Sequence, residues 1–223
     1  MNQLNYRAYA LILIDNMKTR DRIIHTAIRL FNTHGIARIS IRNLAAELNI
    51  SHGNLEYHFK NKEELILAVY HQMIEEMSGI YPKIQHQKLT LKDFNNLLVH
   101  LENFQIKYRF FHLDLIEIAR DFKKVNRLLD ENMRFRKKQM ALYFEQFLAD
   151  KLLQDKGDAN YYGYLQHTMR IMITFWLLQK EIISGYNFKK RGEMTHHIWG
   201  LLVPNMTEKG RREYRKTVEN DNN

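Results

Sequence analysis

The stretch ISIRNLAAELNISHGNLEYHF, residues 39–59, decides how the N-terminal part of the chain folds. Ser40 is a preferred N-cap residue, and the apolar residues after it recur at helical spacing up to Leu48. Asn49 tolerates the left-handed conformation that a sharp turn requires, and Ser51 then offers a second N-cap. The pattern predicts two short helices joined by a tight turn, which is the helix-turn-helix arrangement.

The second of these helices has an unusually polar surface. Leu55 and Phe59, four residues apart, are expected to form its inward anchor, which leaves the outward positions to His52, Asn54, Tyr57 and His58. In a helix-turn-helix protein this helix enters the major groove of DNA. Gly53 permits close approach of the backbone to a phosphate. The polar face therefore predicts contact with double-stranded DNA.

Two further helices flank this motif. Apolar residues recur at helical spacing over residues 20–34, and Gly35 supplies a C-terminal stop. Asn61 and Glu64 resemble a capping arrangement for a helix that runs to about Gly79. We expect residues 19–78 to form a DNA-binding domain and residues 1–18 to be an extension, disordered or mis-started.

Composition limits the remaining possibilities. The chain has 223 residues, no cysteine, only two prolines and a formal net charge of +9. Absence of cysteine excludes disulfides, thiol catalysis and thiolate metal sites, and the basic balance makes a polyanionic partner plausible. The apolar run at residues 8–14 is too short to span a bilayer, which needs about 20 residues. With no nucleophile–base motif, metal cluster or phosphate loop, we expect a cytoplasmic protein without catalytic residues, metal, cofactor or membrane partner.

The remainder of the chain predicts longer helices. They cover about residues 91–108, 111–119, 125–153, 161–184 and 193–202, and residues from Thr207 onward are charged and polar with a frayed tail at 219–223. The predicted fold is all-α, with an N-terminal helix-turn-helix DNA-binding domain followed by a larger helical ligand-binding and dimerisation domain over residues 79–223.

Residues 19–70 resemble the TetR-type repressors, named for the tetracycline repressor. The resemblance rests on Phe-x-x-x-Gly at residues 31–35, the helix-turn-helix, and the Lys-Glu-Glu-Leu run at 62–65. It implies an all-helical homodimer with a sensor pocket in its second domain. The expected DNA contacts are Ser40, Arg42, Ser51, His52, Gly53, Asn54, Tyr57, His58 and Lys62. Glu56 departs from the family, in which many members carry an aromatic residue there. A carboxylate is repelled by phosphates, unless it accepts from a cytosine N4 amine or turns away.

The second domain is rich in aromatic and methionine residues at helical spacings. Core packing explains most of them one by one, but as a group they can line an apolar cavity, since methionine adapts to varied shapes. The candidate pocket consists of Phe104, Tyr108, Phe111, Phe144, Met169, Met172 and Trp176. Three histidines are candidates to orient a ligand, although a structural or surface role is the stronger alternative: His100, His112 and His167.

Two other sets of residues bear on assembly. A four-helix bundle about a two-fold axis would draw on Tyr164, Ile171, Phe175, Leu178, Ile182, Trp199 and Leu202. The basic stretch at residues 134–138 is either a second anionic-ligand surface or a solvated helix face, and the solvated face is the stronger reading.

These observations predict a homodimeric, ligand-responsive repressor. It would bind a near-palindromic operator in double-stranded DNA and be released by an unknown small-molecule effector. The alternative is a DNA-binding architectural or cell-division regulator of the same fold that answers to a protein or to DNA itself.

Overall fold

The computed structural model of the chain describes residues 18–79, 88–182 and 192–219. Within these ranges the regular elements are helices, and an isolated β-bridge joins Leu153 to Met206. The all-α prediction is therefore confirmed. The chain divides into two compact units, Met1–Ile74 with Asp114–Asn126 and Glu75–Leu113 with Arg127–Asn223. The domain boundary that the sequence predicts at residue 78 stays a prediction.

The helices begin and end close to the predicted positions in most of the chain. In chain order they are α1 Thr19–His34, α2 Ile41–Glu47, α3 His52–His58, α4 Lys62–Ser78, α5 Leu91–Lys107, α6 Arg109–Leu113, α7 Leu115–Asp121, α8 Lys123–Ala149, α9 Tyr161–Ile182, α10 Glu193–Leu202 and α11 Glu208–Tyr214. Predictions for residues 1–17, 80–87, 183–191 and 220–223 lie outside the described residues.

The core of the first unit is formed by apolar side chains of α1 to α4. Buried there are Ile23, Ile24, Ala27, Phe31, Leu44, Ala45, Leu55, Phe59, Leu65, Ile66 and Val69. Complete burial of one large apolar side chain contributes about 1.5–3 kcal/mol to the free energy of folding. Because Leu55 and Phe59 are only 0% and 2% exposed, the predicted inward anchor of α3 is confirmed.

The turn after α1 is held by two side chains that are distant in sequence. Gly35 ends the helix as predicted, with a positive φ of 80° and its N–H bonded to the Phe31 carbonyl. The N–H of Ile36 donates to Asp114 Oδ2 at 2.8 Å, and Lys62 Nζ donates to the Ile36 carbonyl oxygen. Both polar groups of this buried residue are thus satisfied by side chains of α4 and the α6–α7 junction.

The predicted helix over residues 111–119 is two helices in the structure, α6 and α7. The break falls at Asp114, which begins α7 without a side-chain cap. Its carboxylate binds Ile36 instead, 78 positions away in sequence. A tertiary hydrogen bond therefore sets this boundary, which the neighbouring sequence does not predict.

The second unit is centred on Phe94 of α5. The ring of Phe94 lies 5.3 Å from Tyr143, 5.8 Å from Phe147 and 5.4 Å from Trp199, measured between centroids. The Phe147 and Trp199 rings meet Phe94 edge-to-face, and such pairs each contribute about 0.5–1.5 kcal/mol beyond the area they bury. The indole N–H of Trp199 donates to Asn95 Oδ1 at 2.9 Å, so the polar atom of this buried ring is also satisfied.

Helix α8 ends at Ala149, four residues before the predicted end. Lys151 adopts a positive φ of 56°, and the N–H groups of Leu152 and Leu153 turn back to the Phe147 carbonyl. The backbone then pairs with the segment after α10, where the Thr207 N–H donates to the Leu152 carbonyl at 3.0 Å. Pairing across the chain therefore replaces the last helical turn.

The polar segment from Thr207 onward contains a helix that the sequence analysis does not predict, α11 over Glu208–Tyr214. Thr207 caps α11 by accepting from the Gly210 N–H at 3.1 Å, and a π-helical turn follows over Arg215–Glu219. Val218 is fully buried in the cluster that contains Phe94. A few buried contacts are enough to order this segment although its sequence is mostly charged.

Candidate nucleic-acid interface

The helix-turn-helix is shaped by hydrogen bonds between residues close in sequence. Ser40 Oγ accepts from the Asn43 N–H at 3.1 Å, and Asn43 Oδ1 accepts from the Ser40 N–H at 3.0 Å, which forms a capping box for α2. Asn49 has a φ of 54°, the predicted left-handed turn. Ser51 Oγ accepts from the Asn54 N–H at 3.1 Å and caps α3. The two predicted caps and the turn are confirmed.

The exposed surface of α3 is unusually aromatic and open. Tyr57 is 86% exposed, a large fraction for an aromatic residue on a folded domain. Its ring meets His58 edge-on, with centroids 5.3 Å apart. A methyl group added at Gly53 would find no atom of the protein within 4 Å. This surface leaves room for a large partner to approach the α3 backbone.

Glu56 and His52 face each other on α3. The Nδ1 atom of His52 lies 3.5 Å from Glu56 Oε2, and each side chain is 51% exposed. They are one helical turn apart, the spacing at which side chains on a helix meet. The unexpected carboxylate therefore remains at the exposed surface, next to a group that can carry a positive charge.

The other predicted contact residues occupy two different environments. Ser40 and Arg42 are exposed at the start of α2. Lys62, in contrast, is partly buried at the start of α4, where its ammonium donates to the Ile36 carbonyl. Burial lowers the pKa of Lys62, and the nearby carboxylates of Glu117, Asp114 and Asp121 oppose that shift. Lys62 thus has a structural bond in addition to its predicted phosphate contact, which stays a prediction.

The candidate pocket residues of the second unit have three different sets of neighbours. Phe144 and Met169 belong to the cluster around Phe94, and Met172 packs against it. Phe104 instead stacks near Tyr108, with centroids 4.8 Å apart, and both Phe104 and Phe111 meet His112 edge-on. The Trp176 ring lies 5.0 Å from that of His197.

Polar residues that the sequence did not single out lie on the buried side of α5. Gln105 Nε2 donates to the Ile173 carbonyl at 2.6 Å, while its buried Oε1 has no hydrogen-bond partner among the described residues. Glu102 is also buried and accepts from the Gly192 N–H at 3.0 Å. The available signal was periodicity, because Gln105 falls in the same apolar stripe as Leu98 and Tyr108.

Of the three candidate histidines, His112 is the one whose side chain is partly buried. Burial lowers its pKa to about 4, so the ring is neutral at pH 7. Its Nε2 atom is buried and finds no hydrogen-bond partner in the ranges that the structure describes. The two other candidate histidines, His100 and His167, are exposed.

The predicted dimer residues separate into exposed and buried groups. Large apolar side chains stand exposed along α9, at Tyr164, Ile171, Phe175 and Ile182. Trp199 and Leu202 of α10 are buried in their own unit, at 2% and 0% exposure. They offer no surface to a second copy, which corrects that part of the prediction.

Neither a bilayer-spanning segment nor a metal cluster occurs among the described residues. No helix there combines the length and the apolar character that crossing a membrane requires. The same ranges contain no group of three or more His, Asp or Glu side chains that could hold a metal ion.

Comparison with known proteins identifies two adjoining family matches. Residues 23–69 match the family described as "Bacterial regulatory proteins, tetR family", and residues 72–214 match "Bacterial transcriptional repressor" of the TetR type. The second match alone covers more than half of the chain.

Individual relatives are similar over shorter segments or in fold. The uncharacterised HTH-type transcriptional regulator YerO of Bacillus subtilis is 32% identical over 120 residues, which is 43% of this chain and 42% of that protein. This match spans less than half the length of the curated relative. A TetR-family regulator from Marinobacter aquaeolei has the same fold, with a TM-score of 0.82 and 24% identity over 92% of this chain and 98% of that one.

A second solved structure is similar at a greater distance. It is a transcriptional regulator from Saccharomonospora viridis in complex with choline, with a TM-score of 0.67 and 19% identity over 85% of this chain and 97% of that one. The similarity shows the fold alone. With the capped helix-turn-helix and the two family matches, the conclusion is that this chain belongs to the TetR family of bacterial transcriptional regulators.

Proposed function

We propose that this protein is a ligand-responsive repressor that binds a near-palindromic operator as a homodimer and leaves it when a small molecule binds its second unit. The observation that carries the proposal is the outer surface of α3. On this surface Tyr57 is 86% exposed and no atom obstructs the approach to Gly53. The other side of the helix packs in the core of the first unit.

Contacts with DNA would come from both helices of the motif. Tyr57, His58, His52 and Asn54 approach base edges and phosphates from α3, while Ser40 and Arg42 reach the backbone from the start of α2. Gly53 lets the α3 backbone come close to a phosphate. Ser51 and Lys62 would add contacts at the ends of α3 and α4, beyond the structural bonds they already make.

The exposed stripe on α9 supports a homodimer. Tyr164, Ile171, Phe175, Leu178 and Ile182 follow one another at spacings of seven, four, three and four residues, so they share one face of the helix. Leu178 is half-buried and the others are exposed. Contiguous apolar surface of this kind marks an association site. In a dimer with a two-fold axis, the stripe of one copy would pack against the same stripe of the other copy.

An effector site in the second unit is supported by buried polar atoms for which the described part of the chain offers no hydrogen-bond partner. Gln105 Oε1 and His112 Nε2 are buried without hydrogen bonds among the described residues, a situation that costs free energy unless something satisfies them. The rings of Phe104, Tyr108 and Phe111 lie in the same part of the chain, and the hydroxyl of Tyr108 donates to Glu76 Oε2 at 2.8 Å. An effector with an apolar body and hydrogen-bonding groups would suit this region. The choline complex of the S. viridis regulator supports a small molecule as the class of effector.

Release from DNA requires the effector to bind one conformation better than the other. A small molecule that bound the operator-competent and incompetent forms equally tightly would shift nothing. The effector must therefore favour a separation of the two α3 helices that does not match successive major grooves, which are about 34–36 Å apart.

A footprint on the DNA upstream of the protein's own gene, at two salt concentrations, tests the proposal. We expect local, symmetric protection over two half-sites that weakens as salt rises, because phosphate contacts release counterions. Diffuse, salt-sensitive coating without a defined site would instead favour the architectural or cell-division regulator. The half-site spacing read from the footprint also tests the homodimer.

A further inference from the structure

The side chains of α3 are not distributed evenly around the helix. Successive residues of a helix are about 100° apart, which places Gly53 and Tyr57 opposite the buried anchor. His52 and Glu56 lie together along one edge of this outer surface, and the 3.5 Å distance between His52 Nδ1 and Glu56 Oε2 is consistent with that placement. A negative charge therefore stands at the border of the surface that would face DNA.

Glu56 leans toward the part of α3 that reads bases. Side chains on a helix point back toward its N-terminus and cover the preceding turn. For Glu56 that turn contains His52, which pairs with one carboxylate oxygen, and Gly53, which has no side chain to obstruct the other. The N-terminal turn of a recognition helix is also the part that meets base edges.

The chemistry of a carboxylate restricts what it can contact in DNA. An ionised carboxylate only accepts hydrogen bonds, so phosphates and the acceptor atoms of guanine and thymine repel it. In the major groove the donors are the N4 amine of cytosine and the N6 amine of adenine. Adenine carries the N7 acceptor beside its amine, so the second carboxylate oxygen would face an acceptor and be repelled. Cytosine is thus the base whose edge suits Glu56 best.

We propose that Glu56 is a specificity-determining residue that accepts a hydrogen bond from the N4 amine of one cytosine in each half-site. The inference rests on the proposed operator binding and adds a sequence requirement to it. The same charge weakens binding to DNA that lacks cytosine at this position, because guanine and thymine present acceptors to the carboxylate and adenine presents the N7 acceptor beside its amine. Glu56 therefore increases the difference in affinity between the two kinds of DNA in two ways: it binds the sequence with cytosine and is repelled by the sequence without it.

Selection from a random DNA library, with the full chain as wild type, Glu56→Gln and Glu56→Ala, tests the proposal. The wild type should select one cytosine at a symmetric position in each half-site, with about tenfold preference over other bases. Glu56→Gln should change that position to adenine, because glutamine can donate to N7 and accept from N6. Glu56→Ala should lose preference there and bind unselected DNA more tightly than wild type. All other positions should be unchanged.

Glu145→Gln is the matched control for loss of a negative charge, since Glu145 is exposed on α8, in the second unit. It should select the wild-type sequence. A consensus that is identical for wild type, Glu56→Gln and Glu56→Ala would overturn the role of Glu56, and so would a wild-type consensus without a cytosine at the affected position. If the wild type selected no sequence at all, the proposed operator binding would fail together with this inference. A wild-type consensus that does not depend on Glu56 would leave operator binding intact.

Discussion

Replacing Gly210 with alanine should destabilise the second unit, although the same change at most helical glycines is stabilising. Gly210 lies in α11, three residues after the Thr207 cap, and faces the backbone that follows α8. A methyl group on Gly210 would stand 2.1 Å from the Leu152 carbonyl oxygen, 2.9 Å from its carbon and 3.1 Å from Leu152 Cα. Ordinary contacts of this kind are 3.4–4 Å. Two backbone segments would therefore have to separate by about 1 Å or more.

The size of the effect follows from two destabilising contributions and one stabilising contribution. Overpacking of a tight contact costs about 1–3 kcal/mol. Separation also weakens the hydrogen bond from the Thr207 N–H to the Leu152 carbonyl, now 3.0 Å, which contributes about 1 kcal/mol. Alanine returns about 1 kcal/mol through its higher helix propensity. The free energy of unfolding should fall by about 1–3 kcal/mol, and the Tm by about 2–4 °C for each kcal/mol.

Denaturant and thermal unfolding at one protein concentration would measure this effect, because the stability of an oligomer depends on concentration. Gly163→Ala is the matched control: Gly163 lies in α9, and an added methyl group there meets no atom within 4 Å. The control should be as stable as wild type or slightly more so. If Gly210→Ala matched or exceeded the stability of wild type, the close approach to Leu152 and the reasoning built on it would be refuted.

Three further perturbations test the candidate interface and the buried histidine. Tyr57→Ala should reduce operator affinity about tenfold or more, which is the size of one lost recognition contact. The free energy of unfolding should change by no more than about 0.5 kcal/mol, since the ring is 86% exposed. Unchanged affinity in a binding titration would contradict the role assigned to Tyr57. Arg134→Ala should leave operator affinity nearly unchanged, because Arg134 pairs with Asp130 at 2.6 Å on an exposed face of α8; a large loss would mean that the second unit also touches DNA. Burial holds the pKa of His112 at about 4, below its usual 6.5. As the pH falls, the unfolded chain therefore binds a proton at this histidine before the folded chain does. The free energy of unfolding should drop by about 2 kcal/mol between pH 7.5 and 5. Urea unfolding at both pH values should show a smaller drop for His112→Gln, and an equal drop in the variant would contradict burial of the ring.

Much of the first unit follows from hydrogen bonds and contacts between residues near in sequence. The Ser40 and Ser51 caps each join residues three positions apart, and Leu55 and Phe59 are four apart on α3. Such interactions are present in the local pattern, and the candidate DNA contacts were proposed from it. The partner of Lys62 was not predictable in this way, because the Ile36 carbonyl becomes available only when α4 packs beside the turn after α1.

The sequence by itself therefore determined the helical class, the helix-turn-helix with its caps and turn, and the polar surface of α3. Only the tertiary structure decided that the chain breaks at Asp114, that α8 stops at Ala149, and that the charged segment after Thr207 is a helix. Tertiary structure also buried the side chain of Gln105, the Nε2 atom of His112 and the ring of Trp199. The physical reason is the range of the interactions: caps and amphipathic spacing act within one or two turns, whereas a hydrogen bond such as that between Asp114 and Ile36 joins residues 78 positions apart. The local sequence at either end contains no sign of it.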